Sequence, residues 1–307
     1  MPADPPIFIV GANRSGTTLL RLILNAHPRI AIPEELNYFN PWIADHWRET
    51  APDRETFRGR VHWYLQSKMP GVASGNADLD ALEDAIVDRA STFDWRAVYG
   101  GALDAWAQKQ EKKRWGEKTP GNLFYVDVLR TMFPDAQFIH LVRDPRAGVR
   151  SMQDTSFFGD DIAINALNRR KYLREGLRHD ATMPSAHWTR LRYEDLLTAP
   201  KDTLRALCHF LGEPFTPAML TYYEDAEQYM SAAAAQEFNE AARHPIDPSK
   251  AHSWREALSQ TEIAVIEAIC GREMEALNYP QEAPSPSLRD RAVIAAIAND
   301  PHQIRRG

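Results

Sequence analysis

The chain has 307 residues, 44% of them hydrophobic and 25% charged, with a net charge of −6 and a pI near 5.9. That balance is ordinary for a soluble globular protein, and its acidity gives no basic surface for nucleic acid. The length suits one large α/β domain, with or without a helical insertion, and the apolar runs fall short of the roughly 18 residues of a membrane span.

Taken in order, Ile7-Phe8-Ile9-Val10 is a continuous apolar run that predicts a strand buried on both faces, as in a parallel sheet. Met1 lies so close to this strand that no room is left for a signal peptide, and a cytoplasmic protein is expected. After Gly11 the chain reads Ala12-Asn13-Arg14-Ser15-Gly16-Thr17-Thr18, then turns helical with Leu19, Leu20, Ile23 and Leu24 on one stripe. A strand, a glycine-bracketed loop and a helix start together bring backbone N–H groups onto a phosphate-sized anion. A nucleoside triphosphate loop would carry lysine before its Ser or Thr. Here Thr17 takes that place, and the positive charge sits at Arg14, whose planar fork suits an oxyanion.

Pro28 ends the first helix, and Ile30-Ala31-Ile32 predicts a short second strand. Pro33-Glu34-Glu35 then reads as a helix start favoured by the dipole. Residues from 40 to about 112 show helical stripes, such as Leu79, Leu82, Ile86 and Val87, and no strand pattern, with a loop at Pro70 to Gly75. This predicts a helical insertion between the second and third strands. Arg114 to Lys118 forms a third strand, and Thr119-Pro120 opens the next helix, so Lys118 lies at the C-terminal edge of the sheet, where ligands bind in open α/β folds. Ala136 to Val142 is a buried strand closed by Arg143, with Pro145 starting a helix that reaches Ser151. Arg169, Arg170, Lys171, Arg174 and Arg178 on the following helix read as a solvated basic face. His187 to Leu191 is a further strand, followed by Arg192-Tyr193-Glu194-Asp195-Leu196. Later come a helix from Pro200 capped by Gly212, a capping box at Ser259 and Glu262, and two cysteines, Cys208 and Cys270, expected as buried free thiols. Residues 1–279 are expected as one domain. Residues 280–307 are expected as a Pro/Ser linker and a last helix, Leu288 to Ala298.

The loop, Glu34-Glu35, Trp115-x-Glu117-Lys118-Thr119-Pro120, the Arg143 to Ser151 run and Arg192 to Leu196 together resemble the sulfotransferases that use 3′-phosphoadenosine-5′-phosphosulfate (PAPS). The layout is most similar to their protein-tyrosine and bacterial branch. The resemblance implies a three-layer α/β sandwich with a four- to five-stranded parallel sheet, P-loop NTPase-like, carrying the insertion. It implies sulfuryl transfer from PAPS to a hydroxyl or an amine, leaving adenosine 3′,5′-bisphosphate (PAP), without a metal. Arg14, Ser15, Gly16, Thr17 and Thr18 would hold the 5′-phosphosulfate. Arg143 and Ser151 would hold the 3′-phosphate with Tyr193 beside them, and Lys250 would stand in a loop folded over the donor. Glu35 would be the general base, with Glu34 as the alternative, and Lys118 would stabilise the departing phosphate. The acceptor expected is a small molecule, a lipid or a glycan precursor, and the oligomeric state is open. A magnesium-dependent P-loop kinase and a non-catalytic nucleotide-binding module are the other two functions open at this point.

Overall fold

The computed structural model describes residues 4–69, 76–155, 157–230 and 244–283. Its elements run β1 (Ile7–Gly11), α1 (Thr17–Asn25), β2 (Ile30–Ala31), α2 (Pro41–His46), α3 (Arg54–Lys68), α4 (Asn76–Arg89), α5 (Trp95–Lys109) and β3 (Arg114–Lys118). There follow α6 (Val126–Met132), β4 (Gln137–Val142), α7 (Pro145–Gln153), α8 (Ile162–Thr182), β5 (Trp188–Arg192), α9 (Tyr193–Thr198), α10 (Pro200–Leu211), α11 (Trp254–Ala257) and α12 (Gln260–Ala276). The five strands form one parallel sheet in the order β2-β3-β1-β4-β5.

β1 is the central strand because it is apolar on both faces. Phe8 and Val10 point into one core with Trp115, Phe133 and Phe138, under the helices α2 to α5 that intervene between β2 and β3. Ile7 and Ile9 point into a second core with Leu20, Ile23, Ile139 and Leu141, which α1, α9 and α10 cover. A third cluster joins Val142, α7, α8 and α12. The result is an α/β sandwich with helices on both sides of the sheet, and every strand points its C-terminal end toward one edge.

Several local expectations fail or fall outside the described residues. Pro33-Glu34-Glu35 starts no helix. The chain from Ile32 to Asn40 is irregular, and the next helix begins at Pro41, where Asn40 accepts a hydrogen bond from the Ile43 N–H at 2.9 Å. The solvated face assigned to α8 is wrong for Arg169, which is 1% exposed. The expected loop at 70–75 and the last helix at 288–298 lie outside the described residues. At the start of the Pro/Ser segment, the Glu282 and Ala283 N–H groups donate to Glu267 of α12, each at 2.9 Å. Cys208 and Cys270 are free and buried. Among the described residues no helix is long and apolar enough to cross a membrane.

The aromatic cluster around β1 makes the first prediction. The Phe8 ring stacks on Phe138 at 5.2 Å and meets Trp115 edge-on at 5.8 Å. Phe8→Ala should cost about 3–5 kcal/mol through the lost transfer energy and the cavity left behind. Denaturant unfolding checks this as a lower midpoint at unchanged slope.

Candidate active site

The loop between β1 and α1 bends through two left-handed residues, Arg14 (φ 63°) and Gly16 (φ 92°). Glycine is needed at 16 for conformation and for space, since a Cβ there would stand 2.4 Å from the Tyr193 ring. Gly16 caps α1 without a side-chain hydrogen bond, so the N–H groups of the first helical turn remain available to an anion. Two guanidinium groups hold the loop from outside. Arg143, at the end of β4, donates Nη1 to the Arg14 carbonyl at 3.0 Å. Arg169 of α8 donates Nη1 to the Asn13 carbonyl and to Ser15 Oγ, both at 2.8 Å.

The predicted residues of this region come together. Arg14 Nε donates to Ser151 Oγ at 3.1 Å, across 137 positions of sequence. The Arg143 guanidinium lies over the Tyr193 ring at 4.4 Å, and the same ring abuts Gly16, so Tyr193 is wedged between the loop and Arg143. Lys250 sits in a single turn, Pro248–Ala251, with its side chain exposed. Among the described residues no hydrogen bond or ion pair joins its side chain to the loop.

Lys118 ends β3 beside β1, and its position on the strand turns it toward the start of α1. Its Nζ donates to Thr18 Oγ1 at 3.3 Å and to Glu35 Oε1. Lys118 is 3% exposed, whereas the Glu35 side chain is 33% exposed. Burial lowers the Lys118 pKa, and the Glu35 carboxylate opposes that shift. One member of the pair is thus buried and the other reaches solvent. Glu34 is half-buried, and its charge, like that of Glu35, acts on Arg21.

Two buried charged residues beside the site have no role in the sequence reading. Arg169 belongs to a buried stripe on α8 with Ala166, Leu173 and Gly176, and that spacing of small and apolar residues was the available signal. Its remaining donors, Nε and Nη2, have no hydrogen-bond partner among the described residues, and Nη2 lies on Gly148 of α7. Burial and the nearby Arg143 push its pKa down to about 10. The other is Glu117, fully buried on the opposite face of β3 from Lys118. It accepts from Thr119 Oγ1 and from Asn122 Nδ2. In sequence it looks like one more strand charge.

The arrangement is a strand–loop–helix cradle with cations on three sides and one solvent-facing carboxylate. Comparison with known proteins decides what kind of cradle it is. A family model described as "Sulfotransferase family" matches residues 5–217. The chain belongs to the sulfotransferase family. It is 24% identical over 334 residues to the omega-hydroxy-beta-dihydromenaquinone-9 sulfotransferase Stf3 of Mycobacterium bovis, covering 95% of this chain and 79% of that one. It is 27% identical over 225 residues to protein-tyrosine sulfotransferase 1 of Danio rerio, covering 72% of this chain and 56% of that one. Among solved structures it resembles the sulfotransferase domain of the Synechococcus PCC 7002 olefin synthase. That match has a TM-score of 0.62 at 25% identity and covers 91% of this chain and 96% of the other. The protein is therefore a transferase of the sulfotransferase type.

Glu117 gives the enzyme a measurable pH signature. Burial pushes its carboxyl up to about 7, while bonds from Thr119 and Asn122 and the charge of Lys118 hold it from rising further and that of Glu35 adds to the rise. The folded state thus keeps this proton to higher pH than the unfolded chain. The stability it contributes is complete below the ordinary glutamate range and is lost as pH rises through 7. The stability of Glu117→Gln relative to wild type should therefore increase between pH 5 and 8, by about 3 kcal/mol at most. Thermal unfolding of both proteins across that range checks it.

Proposed function

We propose that the enzyme transfers the sulfuryl group of PAPS to a hydroxyl acceptor by in-line displacement, as positioning and electrostatics permit in the related phosphoryl transfers. The observation that carries this is the Lys118–Glu35 pair meeting Thr18 at the head of α1. Lys118, from the neighbouring strand, supplies the cation that the loop lacks at Thr17.

In this proposal the 5′-phosphosulfate lies on the loop, against Arg14, Ser15, Gly16, Thr17 and Thr18. The donor set suits a polyanion. Arg143 Nε, Arg169 Nε and Arg169 Nη2 are buried donors without a hydrogen-bond partner among the described residues, and the first turn of α1 has no side-chain cap. Arg143 and Ser151 take the 3′-phosphate, Tyr193 flanks the nucleotide, and Lys250 closes over it. The acceptor oxygen attacks sulfur as the bond from sulfur to the bridging phosphate oxygen breaks. Glu35 takes the acceptor proton, and the Lys118 ammonium stabilises the negative charge left on the phosphate. The products are a sulfate ester and PAP. A hydroxyl acceptor is supported by the omega-hydroxy substrate in the name of the mycobacterial relative, and a small molecule, lipid or glycan precursor is the class proposed. No metal takes part in the scheme.

Thermal unfolding with PAP or ATP, each with and without Mg²⁺, tests the donor, because a ligand selective for the folded state raises the midpoint. The expected result is a metal-independent shift with PAP. A shift with Mg-ATP alone would overturn the proposal in favour of a kinase. Arg169→Met should weaken PAP by about tenfold or more, the scale of one charged hydrogen bond, because the Asn13 carbonyl and Ser15 hydroxyl lose their anchor. Titration calorimetry with PAP reads this directly. Unchanged affinity would remove Arg169 from the donor site.

A further inference from the structure

Glu117 is a fully buried carboxyl that the transfer scheme does not use. It lies among the insertion's aromatic residues, since its charge acts on Tyr64 and Tyr99. Burying an ionisable group there costs several kcal/mol unless its hydrogen bonds are complete. Such a cost on the strand end that also carries Lys118 points to a role at the site.

The hydrogen bonds give that role a direction. Thr119 has one hydroxyl proton, and it is donated to Glu117 Oε1. The hydroxyl oxygen is left to accept, and it does so from the Asn37 N–H at 3.3 Å. Asn37 lies two residues beyond Glu35 and has a left-handed backbone (φ 46°), a conformation that needs holding. Its carbonyl accepts from Lys68 Nζ at 3.2 Å. On the other side of Glu35 the chain is also pinned. The Asn25 side chain exchanges two hydrogen bonds with the Ile32 backbone, at 2.8 and 2.9 Å. Glu35 therefore hangs on a short irregular span with one anchor at Ile32 and one at Asn37, and the second anchor is set by Glu117.

We propose that Glu117 and Thr119 are positioning residues for Glu35: the carboxylate fixes the direction of the Thr119 hydroxyl, and that hydroxyl fixes the Asn37 end of the span carrying the base. The proposal rests on the assignment of Glu35 as base. Consecutive residues of β3 then serve both halves of the reacting pair, Lys118 by direct contact from one face and Glu117 through Thr119 from the other.

The test uses the full chain at pH 8, with exchange of the Asn37 amide followed by NMR and ³⁵S transfer from PAPS to a long-chain primary alcohol, whose hydroxyl is un-ionised at that pH and needs a base. Thr119→Val keeps the shape and removes the hydroxyl. It should speed Asn37 exchange by about tenfold or more. It should also lower kcat by about tenfold with KM for PAPS within about twofold of wild type. Thr119→Ser should restore both. In a Glu35→Gln background, Thr119→Val should cause no further loss, because its effect runs through the carboxylate. Asn37 exchange unchanged by Thr119→Val would overturn the proposal, as would an equal loss in the presence and absence of Glu35. Glu35→Gln that transfers as fast as wild type would instead overturn the base assignment, whatever the amide shows.

Discussion

Two arginines grip the loop between β1 and α1 by its carbonyls, and the site is built on that grip. Arg169 holds the Asn13 carbonyl and Arg143 the Arg14 carbonyl. In a trans peptide the carbonyl and the following N–H point in opposite directions. Pinning the Asn13 carbonyl outward therefore turns the Arg14 N–H to the other side, while the Ser15 N–H closes the turn on Ala12 at 3.2 Å. The left-handed residues at 14 and 16 complete the bend. The grip also gathers positive charge in a buried place: burial first, and then the neighbouring Arg143, lowers the pKa of Arg169. An anion on the concave side opposes that shift.

The pleat of β3 explains how one strand end serves two purposes. Successive side chains leave a strand on opposite faces. Glu117 pairs with Phe8 and Lys118 with Ile9 in the register with β1, so each follows its partner into a different layer. Lys118 falls on the side of α1 and reaches Thr18. Glu117 falls on the side of the insertion and reaches Thr119 and Asn122. A slip of one residue would exchange the two layers and break both sets of contacts. Trp115, buried two residues before Glu117 on the same face, makes that slip expensive.

The sheet and the loop were legible because their signals are local. Ile7 to Val10 is apolar on both faces, and the order of Gly11, Gly16 and the Leu19 stripe allows one turn and one helix. The contact of Arg14 with Ser151 was not readable from spacing, but the family resemblance placed both at a donor site. Two failures share one cause. Glu34-Glu35 read as a helix start because the dipole argument knows only neighbours in sequence, whereas the span is fixed by Asn25 and Thr119 from other elements. Arg169 read as solvated because five basic residues in one helix suggest a wet face. Its spacing of three, four and seven residues from Ala166, Leu173 and Gly176 matches the buried stripe, a signal that the run of charges hides.

The family model ends at residue 217, yet the brace for the Arg143 turn comes from beyond it. Glu194 accepts from the Asp144 N–H at 2.9 Å and from the Tyr279 hydroxyl at 2.8 Å. Arg146 is bonded to Asp144 at 2.7 Å and to Glu267 of α12 at 2.6 Å, with its guanidinium over Trp254 at 3.9 Å. Glu267 is completed by the N–H groups of Glu282 and Ala283. A buried charged network is favourable only when every member is satisfied, and removing one partner leaves a charge that the interior cannot solvate. Asp144 follows Arg143 directly, so the residue that grips the loop is oriented by a network whose last members are at 279 to 283. The segment after the matched region is therefore part of the structural unit that shapes the site, because without it Arg146 would lose Glu267 and Glu194 would lose the Tyr279 hydroxyl.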